Sequence, residues 1–105
     1  MAFSKANEFE PEHIELAKFA KAIAHPARIQ ILEHLATKNT CYCGDIVKEL
    51  PLSQSTVSQH LKELRKAGLI AGEIESPAIC YCIDSAKMQK MYRMFKRLFF
   101  KICDY

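Results

Sequence analysis

Apolar positions recur along the chain first at helical spacing, then at strand spacing, then at helical spacing again. Leu16, Phe19, Ala20 and Ile23 share one face of a helix predicted over 10–24, and Pro11 suits its first position. His25-Pro26 restarts the chain, with His25 placed to cap the next helix, whose inner face is Ile31, Leu32 and Leu35. Thr37 to Thr40 is a polar connector. A short helix, Gly44 to Leu50, turns Ile46, Val47 and Leu50 inward and stops at Pro51. Ser53 is an N-cap for the helix that follows, because its hydroxyl can satisfy an orphan backbone N–H. Val57, Leu61 and Leu64 form that helix's buried stripe, and Ala67-Gly68 ends it where a left-handed residue is cheap. From Leu69 to Ile83 the period falls to two, with Glu75-Ser76-Pro77 between the runs, which predicts a two-stranded hairpin. Asp84 or Ser85 caps a last helix running to about Cys103. The fold class is mostly α with a small β-hairpin, in a single domain.

The last helix carries more apolar surface than its own domain can cover. Met88, Met91, Tyr92, Phe95, Leu98, Phe99 and Ile102 make one stripe, with Met94 and Phe100 beside or opposite it. A helix apolar most of the way round must be buried, and a chain of 105 residues makes only a thin core. A second copy of the chain is the simplest cover, so a homodimer is expected.

Composition narrows the class. Hydrophobic residues are 50% and charged residues 26%, as in globular domains rather than disordered chains. A net charge of +3 permits a polyanionic partner without requiring one. No apolar run is long enough to span a membrane. The polar start of the chain does not read as an export signal, which predicts a cytoplasmic protein. In that reducing compartment the five cysteines are expected as thiols, not as a disulfide framework.

Two helices joined by a tight turn, over 44–66, form a candidate helix-turn-helix, whose second helix would lie in the DNA major groove. Opposite its buried stripe stand Gln54, Ser55, Ser58, Gln59 and Lys62, with Ser53, Thr56, His60 and Arg65 completing the candidate DNA-contacting set. Glutamine can pair bidentately with adenine, serine can donate or accept, and lysine and arginine can meet phosphates. A merely solvated helix face would be richer in Glu and Lys. Ser and Thr are mediocre helix formers, so propensity does not explain them. His60 either packs or meets a phosphate. His13 and His34 read as solvated.

Three co-linear runs resemble the ArsR/SmtB metalloregulators. His25-Pro26-Ala27-Arg28-Ile29-Gln30-Ile31-Leu32 looks like their second-helix signature. Leu52 to Leu61 looks like their recognition helix, and Lys66-Ala67-Gly68-Leu69-Ile70 like the entry to their wing. The resemblance covers roughly Leu16 to Asp84. It implies a winged helix-turn-helix homodimer joined through its first and last helices (10–24 and 85–103), with a wing over 69–83. It also implies a repressor of double-stranded operator DNA that is released by an inducer, commonly a metal or metalloid ion. The wing tip departs from the family: Glu73 and Glu75 make it acidic, so the recognition helix is expected to carry the DNA affinity.

The cysteines carry the remaining chemistry. One sensor type in the family uses Cys-x-Cys-Asp at the start of the helix before the recognition helix. Cys41-Tyr42-Cys43-Gly44-Asp45 is offset from it by one residue. A second type uses Asp and His on the last helix, and no histidine follows Ile83. A different site is available. Cys80-Tyr81-Cys82 lies on the returning wing strand, where alternate residues share a face. A short segment at Thr40 to Tyr42 is expected to pair with that strand. Cys41, Cys43, Cys80 and Cys82 would then converge on a soft ion: arsenite prefers three thiolates, and zinc and cadmium accept four. Core packing of these cysteines and reversible oxidation to disulfide are the alternatives. Cys103 stands apart. No cofactor is required.

Two other functions compete. A cysteine-dependent oxidoreductase is disfavoured, because no Cys-x-x-Cys occurs and neither pair sits in a βαβ context. A winged helix used only for protein contact fits the polar recognition face poorly.

Overall fold

The computed structural model describes residues 8–37, 41–43, 48, 50–73 and 80–103. In chain order the elements are α1 (Pro11–Ala22), α2 (Pro26–Thr37), β1 (Cys41–Cys43), α3 (Gln54–Lys66), β2 (Ile70–Glu73), β3 (Cys80–Ile83) and α4 (Ser85–Cys103). Most of the short helix expected over 44–50 and the tip of the wing lie outside the described residues.

The helix ends follow local chemistry. Pro11 opens α1. At α2 the His25 ring does the capping: its Nδ1 accepts the Ala27 N–H at 3.0 Å. Ser53 caps α3 by accepting the Thr56 N–H at 3.3 Å. The far end of α3 closes as a Schellman motif, with Gly68 at φ +81°. There Gly68 N–H bonds the Arg65 carbonyl at 2.9 Å and Leu69 N–H the Leu64 carbonyl at 3.0 Å. Asp84, not Ser85, caps α4, its Oδ1 accepting from Lys87 N–H at 3.0 Å.

The wing is a three-stranded sheet, not a lone hairpin, in the order β1-β3-β2. Both pairings are antiparallel. Cys41 stands opposite Cys82 and Cys43 opposite Cys80, while Gly72 of β2 stands opposite Tyr81. The expected pairing of the segment before the helix-turn-helix is present, one residue later than predicted. Three strands also make a more durable sheet than an isolated hairpin.

One core joins all the helices to the sheet. Ile31, Leu35, Leu61, Leu64, Leu69 and Met91 are fully buried, and Tyr81 plugs the inner side of β3. Phe19 of α1 meets Phe95 of α4 with ring centroids 5.5 Å apart at 60°, a tilted arrangement favoured by the ring quadrupoles.

Helices α1 and α4 run antiparallel, pinned by Lys90–Glu15 at 3.0 Å and Arg97–Glu12 at 2.9 Å. The hydrogen bond from Arg97 holds the Glu12 carboxyl below the usual carboxylate range, and that from Lys90 does the same for Glu15. The helix α4 corrects one detail of the sequence reading. Met94, placed beside or opposite the stripe, is buried with Met91, while Tyr92, Phe99 and Ile102 of the stripe are exposed. Arg97 already meets Glu12 in the first turn of α1, so α4 beyond it has little of α1 left to pack on.

Candidate nucleic-acid interface and cysteine sheet

The helix α3 divides cleanly into two faces. Val57, His60, Leu61 and Leu64 are buried against the core. Ser53, Gln54, Ser55, Thr56, Gln59, Lys62 and Arg65 are exposed, and Ser58 is half-buried. The hydroxyls at the helix start bond among themselves, with Ser53 donating to Thr56 Oγ1 at 2.9 Å and lying 3.3 Å from Ser55 Oγ. Gln59 Nε2 donates to Glu63 Oε2 at 3.3 Å, which steadies its amide along the outer face. The result is a projecting row of amides and hydroxyls with Lys62 and Arg65 further along, a surface chemically suited to base edges and phosphates.

His60 differs from its neighbours in this set. Of its two readings, packing is the one observed: the residue is 8% exposed. Arg28 Nε donates to His60 Nδ1 at 3.1 Å, and Arg28 Nη1 donates to the Ala22 carbonyl at 2.9 Å. The His25 ring lies 4.3 Å from the His60 ring, centroid to centroid. Burial pushes the His60 pKa down, and the charges of His25 and Arg28 push it the same way. The period places residue 60 beside Val57 and Leu64, so its inward turn was visible in the spacing. His13 is exposed and sits 3.9 Å from Glu10, whereas His34 is half-buried rather than solvated.

The cysteine pairs are brought together by strand pairing. Tyr81 points into the core, so Cys80 and Cys82 lie on the outer side of the sheet, Cys80 exposed and Cys82 half-buried. Neither Cys80 nor Cys82 is part of the buried core. Cys80 and Cys82 are disulfide-bonded in this structure, the state of the oxidation alternative rather than the thiol one. The β1–β3 register sets Cys41 opposite Cys82 and Cys43 opposite Cys80, and directly opposed residues of an antiparallel pair approach within about 4.5–5.5 Å at Cα, inside the range a disulfide bridges. Cys103, at the end of α4, is exposed and free. Among the described residues no group of three or more His, Cys, Asp or Glu is arranged to hold a metal ion.

Comparison with known proteins decides the class. The family model described as "Bacterial regulatory protein, arsR family" matches residues 25–71, from the cap of α2 into β2. The transcriptional activator HlyU of Vibrio cholerae is 34% identical over 88% of this chain and 84% of its own. This chain belongs to the ArsR family. The HTH-type regulator Rv0081 of Mycobacterium tuberculosis is 30% identical, over 90% of this chain and 83% of that protein. Among solved structures, an ArsR-like regulator from Rhodococcus superposes with a TM-score of 0.65 at 25% identity, covering 82% of this chain and 80% of that one. V. cholerae HlyU gives 0.63 at 30%, covering 86% and 97%.

ArsR-family proteins are DNA-binding transcriptional regulators and not enzymes, so the oxidoreductase reading falls. The winged helix-turn-helix expected from the three sequence runs is the observed fold. Among the described residues no helix is long and apolar enough to cross a membrane.

Proposed function

We propose that this ArsR-family chain is a homodimeric repressor released from its operator by a thiol-reactive inducer acting at Cys41, Cys43, Cys80 and Cys82. The observation that carries the reading is the β1–β3 register, which opposes the two Cys-x-Cys pairs residue for residue. A soft metalloid or metal ion, with arsenite foremost and cadmium or zinc behind it, fits these four cysteines in their reduced, thiol form. Three thiols displace three waters from arsenous acid, leaving arsenic held by three sulfurs. One of the similar relatives, 33% identical over 71% of this chain, is the regulator CmtR of Mycobacterium bovis.

A second reading is favoured by the disulfide-bonded state of Cys80 and Cys82. Here an oxidant takes two electrons and two protons from a pair of thiols, and one S–S bond forms. Either chemistry would tie the already paired β1 and β3 to each other. The recognition surface in both is the outer face of α3, with Gln54, Ser55, Ser58 and Gln59 on base edges and Lys62 on phosphate.

The dimer would form through α1 and α4. Tyr92, Phe99 and Phe100 are 64%, 55% and 67% exposed on α4, a cluster of aromatic area that a two-fold partner would cover with its own copy.

The test is fluorescence anisotropy of a labelled duplex from upstream of the protein's own gene, bound by reduced protein at fixed salt. Release by micromolar arsenite, lost when Cys80 and Cys82 are changed to serine, is the expected result. Release by diamide but not by arsenite would select the oxidation reading. Failure of the reduced protein to bind any upstream duplex would reject the repressor reading.

A further inference from the structure

Arg65 reads in sequence as a phosphate contact, yet in the fold it grips the wing. Its Nη1 donates to the Gly72 carbonyl oxygen at 3.2 Å, linking the last turn of α3 to β2. Gly72 has φ +129°, in the region that favours glycine. A Cβ built there would lie 2.2 Å from the Cys80 carbonyl oxygen and 2.8 Å from Tyr81 Cα. The backbones of β2 and β3 therefore press directly on each other beside Cys80, with no side chain between them to absorb a shift.

We infer that Arg65 is the positioning residue that couples chemistry at the cysteine sheet to the recognition helix, through its grip on Gly72. The inference rests on the thiol-inducer reading above. The Arg65–Gly72 contact is present with Cys80 disulfide-bonded, and opening that bond frees β3 at Cys80 and lets the backbone on which Gly72 rests shift. Gly72 carries the Arg65 guanidinium with it, and the carboxyl end of α3 moves relative to the groove. A single fixed contact is enough to bias a two-state helix position, and couplings of this kind change affinity by about 5–150-fold. Lys66, one residue on, pairs within α3 with Glu63 at 3.9 Å. It loses the same charge when truncated without touching Gly72.

The experiment measures operator Kd for the full chain, reduced and then treated with arsenite or, separately, with diamide, which takes up the two electrons and two protons of disulfide formation. Wild type is expected to weaken by roughly tenfold or more. Arg65→Ala is expected to weaken by less than about twofold on the same treatment, with its helix content unchanged by circular dichroism, while Lys66→Ala keeps the wild-type ratio. The slope of log K against log salt, measured without inducer, separates the alternative. A full wild-type ratio in Arg65→Ala with a slope reduced by about one unit would make Arg65 a phosphate contact and overturn the inference. Collapse of the ratio in Lys66→Ala as well would overturn it too, since charge alone would then suffice. A wild type that responds to neither reagent would instead remove the thiol-inducer reading, and this coupling with it.

Discussion

Arg28 Nε donates to His60 Nδ1 across 3.1 Å, so the recognition helix is tied to α2 by a bond that only a neutral imidazole can accept. The same guanidinium reaches back to the Ala22 carbonyl, so one side chain joins α1, α2 and α3. His60 has its pKa lowered in the fold, chiefly by burial. Its neutral form contributes stability that is complete above the unfolded value of about 6.5 and is lost as pH falls below it. The urea midpoint should therefore drop between pH 7.5 and pH 5.5. In His60→Gln, whose amide oxygen can still accept from Arg28, that drop should shrink. An equal drop in the variant would show that other groups set the acid sensitivity.

The amides of Gln54 and Gln59 should carry sequence discrimination. Each good bidentate contact to a base is worth about 1–3 kcal/mol. Changing either to alanine should weaken operator binding by roughly tenfold while leaving binding to unrelated duplex nearly constant, as read by competition anisotropy. Lys62→Ala should act differently, lowering affinity for both duplexes and reducing the salt slope by about 0.9. Equal losses on both duplexes for the glutamine variants would move base reading elsewhere on the helix.

Ser53→Ala should destabilise the fold by about 1 kcal/mol, because the Thr56 N–H loses its cap. Thermal melting of the reduced protein measures this directly. No change in melting temperature would mean that Thr56 N–H is equally well served by water.

Phe99→Glu should dissociate the proposed dimer without unfolding the chain, since Phe99 is 55% exposed in the single subunit. Sedimentation equilibrium should give the mass of one chain for the variant and two for wild type. A wild-type monomer would remove the dimer, and a dimeric variant would move its interface away from this end of α4.

Helix boundaries were legible in the sequence because their signals are local. Pro11, His25, Ser53 and Gly68 each act on backbone groups within a few residues, and each ends or begins a helix where it was expected. The split of α3 into a polar outer face and an apolar inner one was equally plain, since one period of 3.6 decides it. What the sequence left open was the exact register between strands. The β1–β3 register joins residues about forty apart and sets the two Cys-x-Cys pairs opposite each other, one residue from the expected pairing. The exposed end of α4 was half legible. Its apolar stripe was visible, but which of Met94 and Phe99 turned inward depended on where α1 begins. Arg65 reads by residue type as a phosphate contact, and only the packing of β2 against α3 brings Gly72 under it.

Tyr81 is anchored in the core while the neighbouring Cys80 stands at the solvent boundary on the same strand. Once Cys80 is reduced, a reagent can therefore reach it by collision, with no opening of the interior to wait for. The speed of the response would then scale with reagent concentration and intrinsic sulfur reactivity, and mutations that loosen the core would leave that speed almost untouched.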